Sequence, residues 1–136
     1  MRKSNRRQFI TETGKVAVMG GLGTITNTMG ENPLKKKFIH HVFFWLKNPN
    51  SEADKQKLIE GLQTLTKIKG IRAFQIGVPA NTNREVIERS YAVSELFVFD
   101  NPEDQAAYQN DPIHLKFVEN CSALWEKVTV FDTVEV

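Results

Sequence analysis

The chain has 136 residues, 40% hydrophobic and 25% charged, a composition that fits one globular domain and excludes a disordered segment. The formal charge of +2 conceals a division: residues 1–30 carry a net +4, while the remainder has 13 basic and 15 acidic groups, a net −2. A body of negative net charge leaves no electrostatic footprint for nucleic acid, and the lone Cys121 excludes an intramolecular disulfide. The Cys and His spacings match no metal-ligand pattern, so no metal site is expected, and acid–base chemistry by the residues singled out below would need no cofactor.

At the N-terminus, Ser4-Asn5-Arg6-Arg7-Gln8-Phe9-Ile10 resembles a twin-arginine export signal: paired arginines, a polar residue, then two apolar ones. The apolar run that follows, Val16 to Ile25, is diluted by Gly20, Gly21 and Gly23. It is too short and too polar for stable membrane insertion. Residues 1–30 are therefore expected to be a signal peptide read by the twin-arginine export machinery, with a periplasmic or otherwise exported product. Residues 31–37, with Pro33 and the basic run Lys35-Lys36-Lys37, read as a linker.

The body, residues 38–135, begins with a dense apolar run, Phe38 to Leu46, that predicts a strand. Asn48-Pro49-Asn50 ends it. Ser51 and Asp54 form a helix-capping pattern, and Leu58, Ile59, Leu62 and Leu65 share one helical face. Gly70 is expected to stop that helix. Ile71 to Val78 alternates as a second strand, and polar residues 79–88 form a loop. A third strand is expected from Tyr91 to Phe99, with Tyr91, Val93, Phe97 and Phe99 on one face. Glu95 is the odd residue on that face, either paired with Arg89, Arg72 or a histidine or facing solvent at a sheet edge. Asn101-Pro102 opens a helix through Tyr108, and Asp111-Pro112 restarts a helix running to about Trp125. Val128 to Val134 closes the domain as a fourth strand.

This order, βαββαβ, predicts an α+β, ferredoxin-like arrangement: one antiparallel sheet with its helices on one face. The first strand is apolar on both sides. His41, Phe43 and Trp45 occupy one, and Phe38, His40, Val42, Phe44 and Leu46 the other. A small body with a two-sided apolar sheet predicts a homodimer whose sheets pack face to face, enclosing a partly hollow barrel. Alternation shows that His40 and His41 oppose each other but not which one faces the barrel.

Tyr108 and His114 stand six positions apart across the Asp111-Pro112 turn. Phenol and imidazole together can run acid–base chemistry near neutral pH. The run His41-Val42-Phe43-Phe44-Trp45-Leu46-Lys47, then Phe99-Asp100, Tyr108, Asp111-Pro112-Ile113-His114, Leu124-Trp125-Glu126-Lys127-Val128 and Phe131-Asp132 resembles the stress-responsive dimeric A/B barrel (Dabb) family over residues 38–135. The resemblance implies the dimeric α/β barrel. Through the plant polyketide cyclases of that family it implies catalytic roles for Tyr108 and His114. It also implies ligand-binding roles for His41, Phe43, Trp45 and Trp125. In that reading His114 is a general base and Tyr108 hydrogen-bonds a developing enolate oxygen. His41 orients the ligand while the aromatics exclude water. Three functions follow as expectations: binding of a small apolar or aromatic molecule in the dimer barrel; a cofactor-free cyclase, lyase or monooxygenase-like enzyme; and a haem-binding barrel. The same aromatics can also simply fill the barrel.

Overall fold

The computed structural model describes residues 30–136, and every element below lies within the unit Leu34–Val136. The export-signal segment thus falls outside the described residues except for Gly30. The elements are β1 (Phe38–Leu46), α1 (Glu52–Leu65), β2 (Ala73–Gly77), β3 (Val93–Phe99), α2 (Pro102–Asn110), α3 (Pro112–Cys121), a 3-10 turn (Ser122–Leu124) and β4 (Trp125–Val134). The strands form one antiparallel sheet in the order β2-β3-β1-β4. The architecture is the expected α+β ferredoxin-like one, with its second helical segment broken in two at Asp111-Pro112. Among the described residues no helix is long and apolar enough to cross a membrane.

Local chemistry sets most boundaries. The Ser51 hydroxyl accepts the Asp54 N–H at 3.1 Å and starts α1. Asn101 Oδ1 accepts the Asp104 N–H at 2.8 Å and starts α2. Asp111 ends α2 and begins α3: its N–H closes on the Tyr108 carbonyl, while its Oδ1 accepts the Ile113 N–H at 2.8 Å. Pro112 at the first helical position needs no N–H partner there.

The core lies between the helices and one sheet face. Leu58, Leu62 and Leu65 of α1 pack there with Val42, Phe44 and Leu46 of β1, Val93, Phe97 and Phe99 of β3, Tyr108 and Phe117. Directly paired residues of an antiparallel sheet share a face. Register therefore puts His40, paired with Phe97 and Asp132, on the helix side, and His41, paired with Leu96 and Phe131, on the opposite side.

Three expectations are corrected. Gly70 does not cap α1. The helix ends at Leu65, where the Thr66 N–H turns back to the Gln63 carbonyl; Gly70 instead supplies φ +94° to the following reversal. Tyr91 precedes β3 and packs its ring on Phe43 and Trp45, so it lies across the sheet from Val93, Phe97 and Phe99. β4 begins at Trp125 rather than Val128, because a bulge at Trp45/Leu46 lets Trp125 pair with Leu46 and Lys127 with Trp45.

Candidate functional site

Period-two alternation divides the candidate residues between two places. On the helix side, four elements bring a polar group into an apolar core: His40 from β1, Glu95 from β3, Tyr108 from α2 and His114 from α3. Tyr108, Glu95 and His40 are 1%, 3% and 5% exposed. The Tyr108 O–H donates to Glu95 Oε1 at 3.1 Å. The Tyr108 ring is flanked by Phe97, Phe99 and His40, and the His114 ring lies 4.7 Å from it. The two helix-side residues expected to act together, Tyr108 and His114, are thus in contact. The double use of Asp111 as a cap holds them there.

His40 bridges two carboxylates. Its Nδ1–H donates to Asp132 Oδ1 at 2.6 Å, and its Nε2 lies 3.7 Å from Glu95 Oε1. Gln105 Nε2 also approaches Nδ1, at 3.5 Å, but a nitrogen donating to Asp132 cannot accept there, so the shorter contact decides. The second distance is too long for a hydrogen bond and short enough for a small side-chain rotation to close it. Because the carboxylates sit on opposite ring nitrogens, they do not converge on one point as metal ligands do. Among the described residues no group of three or more His, Cys, Asp or Glu is arranged to hold a metal ion.

Electrostatics follows from burial. Removal from water pushes the Glu95 carboxyl up to about 7, and the Tyr108 hydrogen bond offsets part of that rise. Burial, then the neighbouring Glu95, raises the Tyr108 phenol far above its ordinary value. Burial lowers His114 below the ordinary imidazole value, partly countered by the 3.1 Å hydrogen bond from its Nδ1–H to the Gln109 carbonyl. At neutral pH His114 is therefore an uncharged base with Nε2 unprotonated. Glu95 Oε2 is buried without a hydrogen-bond partner.

On the other sheet face, His41, Phe43, Trp45, Tyr91 and Phe131 wall a concavity of about 550 Å³, with Glu88, Lys127 and Thr129 supplying its polar groups. Phe43 is the hub: its ring lies 4.3 Å from His41, 4.9 Å from Tyr91 and 5.9 Å from Phe131. Lys127 Nζ sits 4.4 Å over the Trp45 ring, whose Nε1–H donates to Ser90 Oγ at 2.9 Å. Burial first, then the nearby His40, lowers the His41 imidazole.

The six residues expected to share one cavity are therefore split. His41, Phe43 and Trp45 stand together on one face, and Tyr108 and His114 on the other. Trp125 joins the second group, stacked on Phe117 at 5.7 Å and packed on Phe44 at 5.1 Å. Three helix-side residues were not singled out beforehand for a role in the site: His40, Glu95 and Asp132. Glu95 left a signal, a carboxylate among alternating apolar residues, and His40 left another, the doubled histidine. Asp132 left none.

The sequence profile of the stress responsive A/B barrel domain matches residues 38–135. No functionally curated protein matches. Several solved structures are similar. A Dabb family protein with a ferredoxin-like fold from Mesorhizobium loti is 20% identical, with a TM-score of 0.62 over 74% of this chain and 97% of its own. A dimeric protein of unknown function and ferredoxin-like fold from Bacteroides fragilis is 19% identical, with a TM-score of 0.60 over 75% of this chain and 99% of its own. The hydroxynitrile lyase of Passiflora edulis is 19% identical, with a TM-score of 0.61 over 76% of this chain and 96% of its own. At these identities the structures speak for the fold. With the profile spanning β1 to β4, the chain belongs to the stress-responsive A/B barrel domain family.

Proposed function

We propose that the protein is a homodimer that binds a small, flat, apolar or aromatic molecule between its two sheets. The observation that carries this is the aromatic-walled concavity on the sheet face the helices leave open. A second sheet laid over it would close the hollow and cover Phe131, which is 57% exposed. The dimeric state described for the Bacteroides fragilis neighbour supports the same reading. The rings favour stacking on a planar ligand, and Lys127, Thr129 and Glu88 can orient one polar group of it. The test uses the Trp125→Phe variant, so that Trp45 alone reports. Titration with a naphthol probe is expected to quench its fluorescence saturably, and sedimentation is expected to give a dimer that Phe131→Asp dissociates. A monomer at micromolar concentration with unquenched Trp45 refutes the proposal. The paired Arg6-Arg7 support export by the twin-arginine route; replacing both with lysine in the full chain should then abolish translocation.

A second reading is favoured by a separate observation: Tyr108 packs on His114 and donates to Glu95, whose other carboxylate oxygen is buried and unpartnered. We infer a cofactor-free acid–base site there, in which His114 takes a proton from an O–H or an acidic C–H. The Tyr108 hydrogen is directed at Glu95, so a ligand would meet a phenol oxygen already polarised by that acid. A hydroxynitrile, the substrate class in the name of the Passiflora edulis neighbour, is a concrete assay compound. The base takes its hydroxyl proton, the C–O bond becomes a carbonyl, the C–C bond to the nitrile breaks, and cyanide leaves. Turnover by the wild type that is unaffected in His114→Ala would eliminate His114 as the base.

A further inference from the structure

We propose that Asp132, His40 and Glu95 form a proton relay from solvent into the closed helix-side core, with Glu95 as a third acid–base group beside Tyr108 and His114. The use of this relay in turnover rests on the second reading above; the relay itself belongs to the unliganded protein.

Three observations point to it. The first is a gradient of exposure along the line of groups: the Asp132 side chain is 43% exposed, His40 6% and Glu95 3%. The second is orientation. The two nitrogens of one imidazole each face a different carboxylate, one at the rim and one inside, which is the geometry that passes a proton across the ring. The third is the state of Glu95. A buried acid held for structure ordinarily has both oxygens on donors, whereas here Oε1 accepts from Tyr108 and Oε2 has no partner. Among the described residues no lysine or arginine ion pair reaches it. Lys37 and Arg72 are both engaged with Asp100.

The groups along the line can be named by element: His40 on β1 and Tyr108 on α2 face Glu95 itself, Asp132 on β4 and Gln105 on α2 face His40, and His114 on α3 packs on Tyr108. Because Asp132 holds the Nδ1 proton of His40, a neutral ring presents a lone pair at Nε2 toward Glu95. A protonated Glu95 can donate to that lone pair, while an ionised Glu95 facing it is repelled. The step balances as a proton transfer. The Glu95 O–H bond breaks and an Nε2–H bond forms, while the Nδ1–H bond breaks and the proton passes to Asp132 and on to water. One proton leaves, Glu95 is ionised, and the ring is left as the opposite tautomer. Reverse transfer or a ring flip resets it.

Infrared difference spectroscopy on the full chain carrying 13C-labelled glutamate tests this without a ligand. The expected result is a carboxylic-acid C=O band that titrates away between about pH 5 and about pH 9 and is missing in Glu95→Gln. After a light-triggered pH jump, loss or gain of that band should slow roughly 100-fold in His40→Gln, the lower range for a positioned proton-transfer group. Asp132→Asn, a change at a partly exposed side chain, should slow it too, and circular dichroism checks that both variants fold. A band that does not titrate, that survives in Glu95→Gln, or whose kinetics are unchanged in both His40→Gln and Asp132→Asn overturns the relay. His114→Ala separates the two ideas: it should abolish any turnover yet leave the band and its kinetics intact.

Discussion

Replacing Glu95 with glutamine keeps the shape of the side chain and an oxygen that can accept from the Tyr108 O–H, and removes the ionisation. Burial lifts the Glu95 carboxyl from 4.5 to about 7, and at about 1.4 kcal/mol per tenfold change in proton affinity this corresponds to about 3 kcal/mol. The shift is upward, so the unfolded chain releases the proton first. Below pH 4.5 both states hold it and the contribution is fully present. As pH rises from 4.5 to about 7 the unfolded chain ionises while the folded one does not, and stability falls. Above about 7 both are ionised and the contribution is gone. Glu95→Gln has no such slope. The stability of the variant minus that of the wild type should therefore increase by about 3 kcal/mol between about pH 4.5 and about pH 8, read from urea unfolding at a series of pH values. The amide can cost about 1–3 kcal/mol if its NH₂ finds no acceptor, but that term is independent of pH. The slope of the difference is the readout, because the other titrating groups largely cancel in it. Parallel stability curves for the two proteins would show that Glu95 ionises as an ordinary carboxylate and would refute the burial argument.

Other substitutions probe the packing. A Cβ on Gly61 would lie 2.6 Å from Cys121 Sγ, so Gly61→Ala should lose about 1–3 kcal/mol to overpacking, against about 1 kcal/mol gained in helix propensity. In a Cys121→Ala background the same change should cost at least about 1 kcal/mol less, as measured by calorimetry; equal effects in both backgrounds would discount the clash. Asp111→Ala removes the side-chain cap of α3 and should cost about 1 kcal/mol in urea unfolding, with a change in the His114 ring signals as that helix start loosens. Proton NMR of His114 should give a titration midpoint below the ordinary value of 6.5, since burial outweighs its carbonyl hydrogen bond; a midpoint above 6.5 would contradict this.

Much of the architecture is legible in local sequence because local forces set it. Strand alternation in Phe38 to Leu46, the Ser51 and Asn101 caps, and the Asp111-Pro112 turn each act over a few residues, and each is found where its chemistry puts it. Gly70 misleads for the same local reason. A glycine after a leucine-rich helix looks like its cap, while the positive φ is needed five residues after Leu65, in the turn toward β2.

Local patterning alone sets two opposite faces on β1, the helix break that brings Tyr108 near His114, and a carboxylate in an apolar strand. Which β1 face the helices cover is settled by long-range packing, because it depends on pairing with β3 and β4 rather than on β1 itself. That pairing puts His40 with Glu95, Tyr108 and Asp132, residues 55 to 92 positions away, and leaves His41, Phe43 and Trp45 to the open face. It also separates what a residue pattern could only pool. The acid–base groups and the aromatic hollow lie on opposite sides of one sheet, because successive side chains of a strand must point opposite ways.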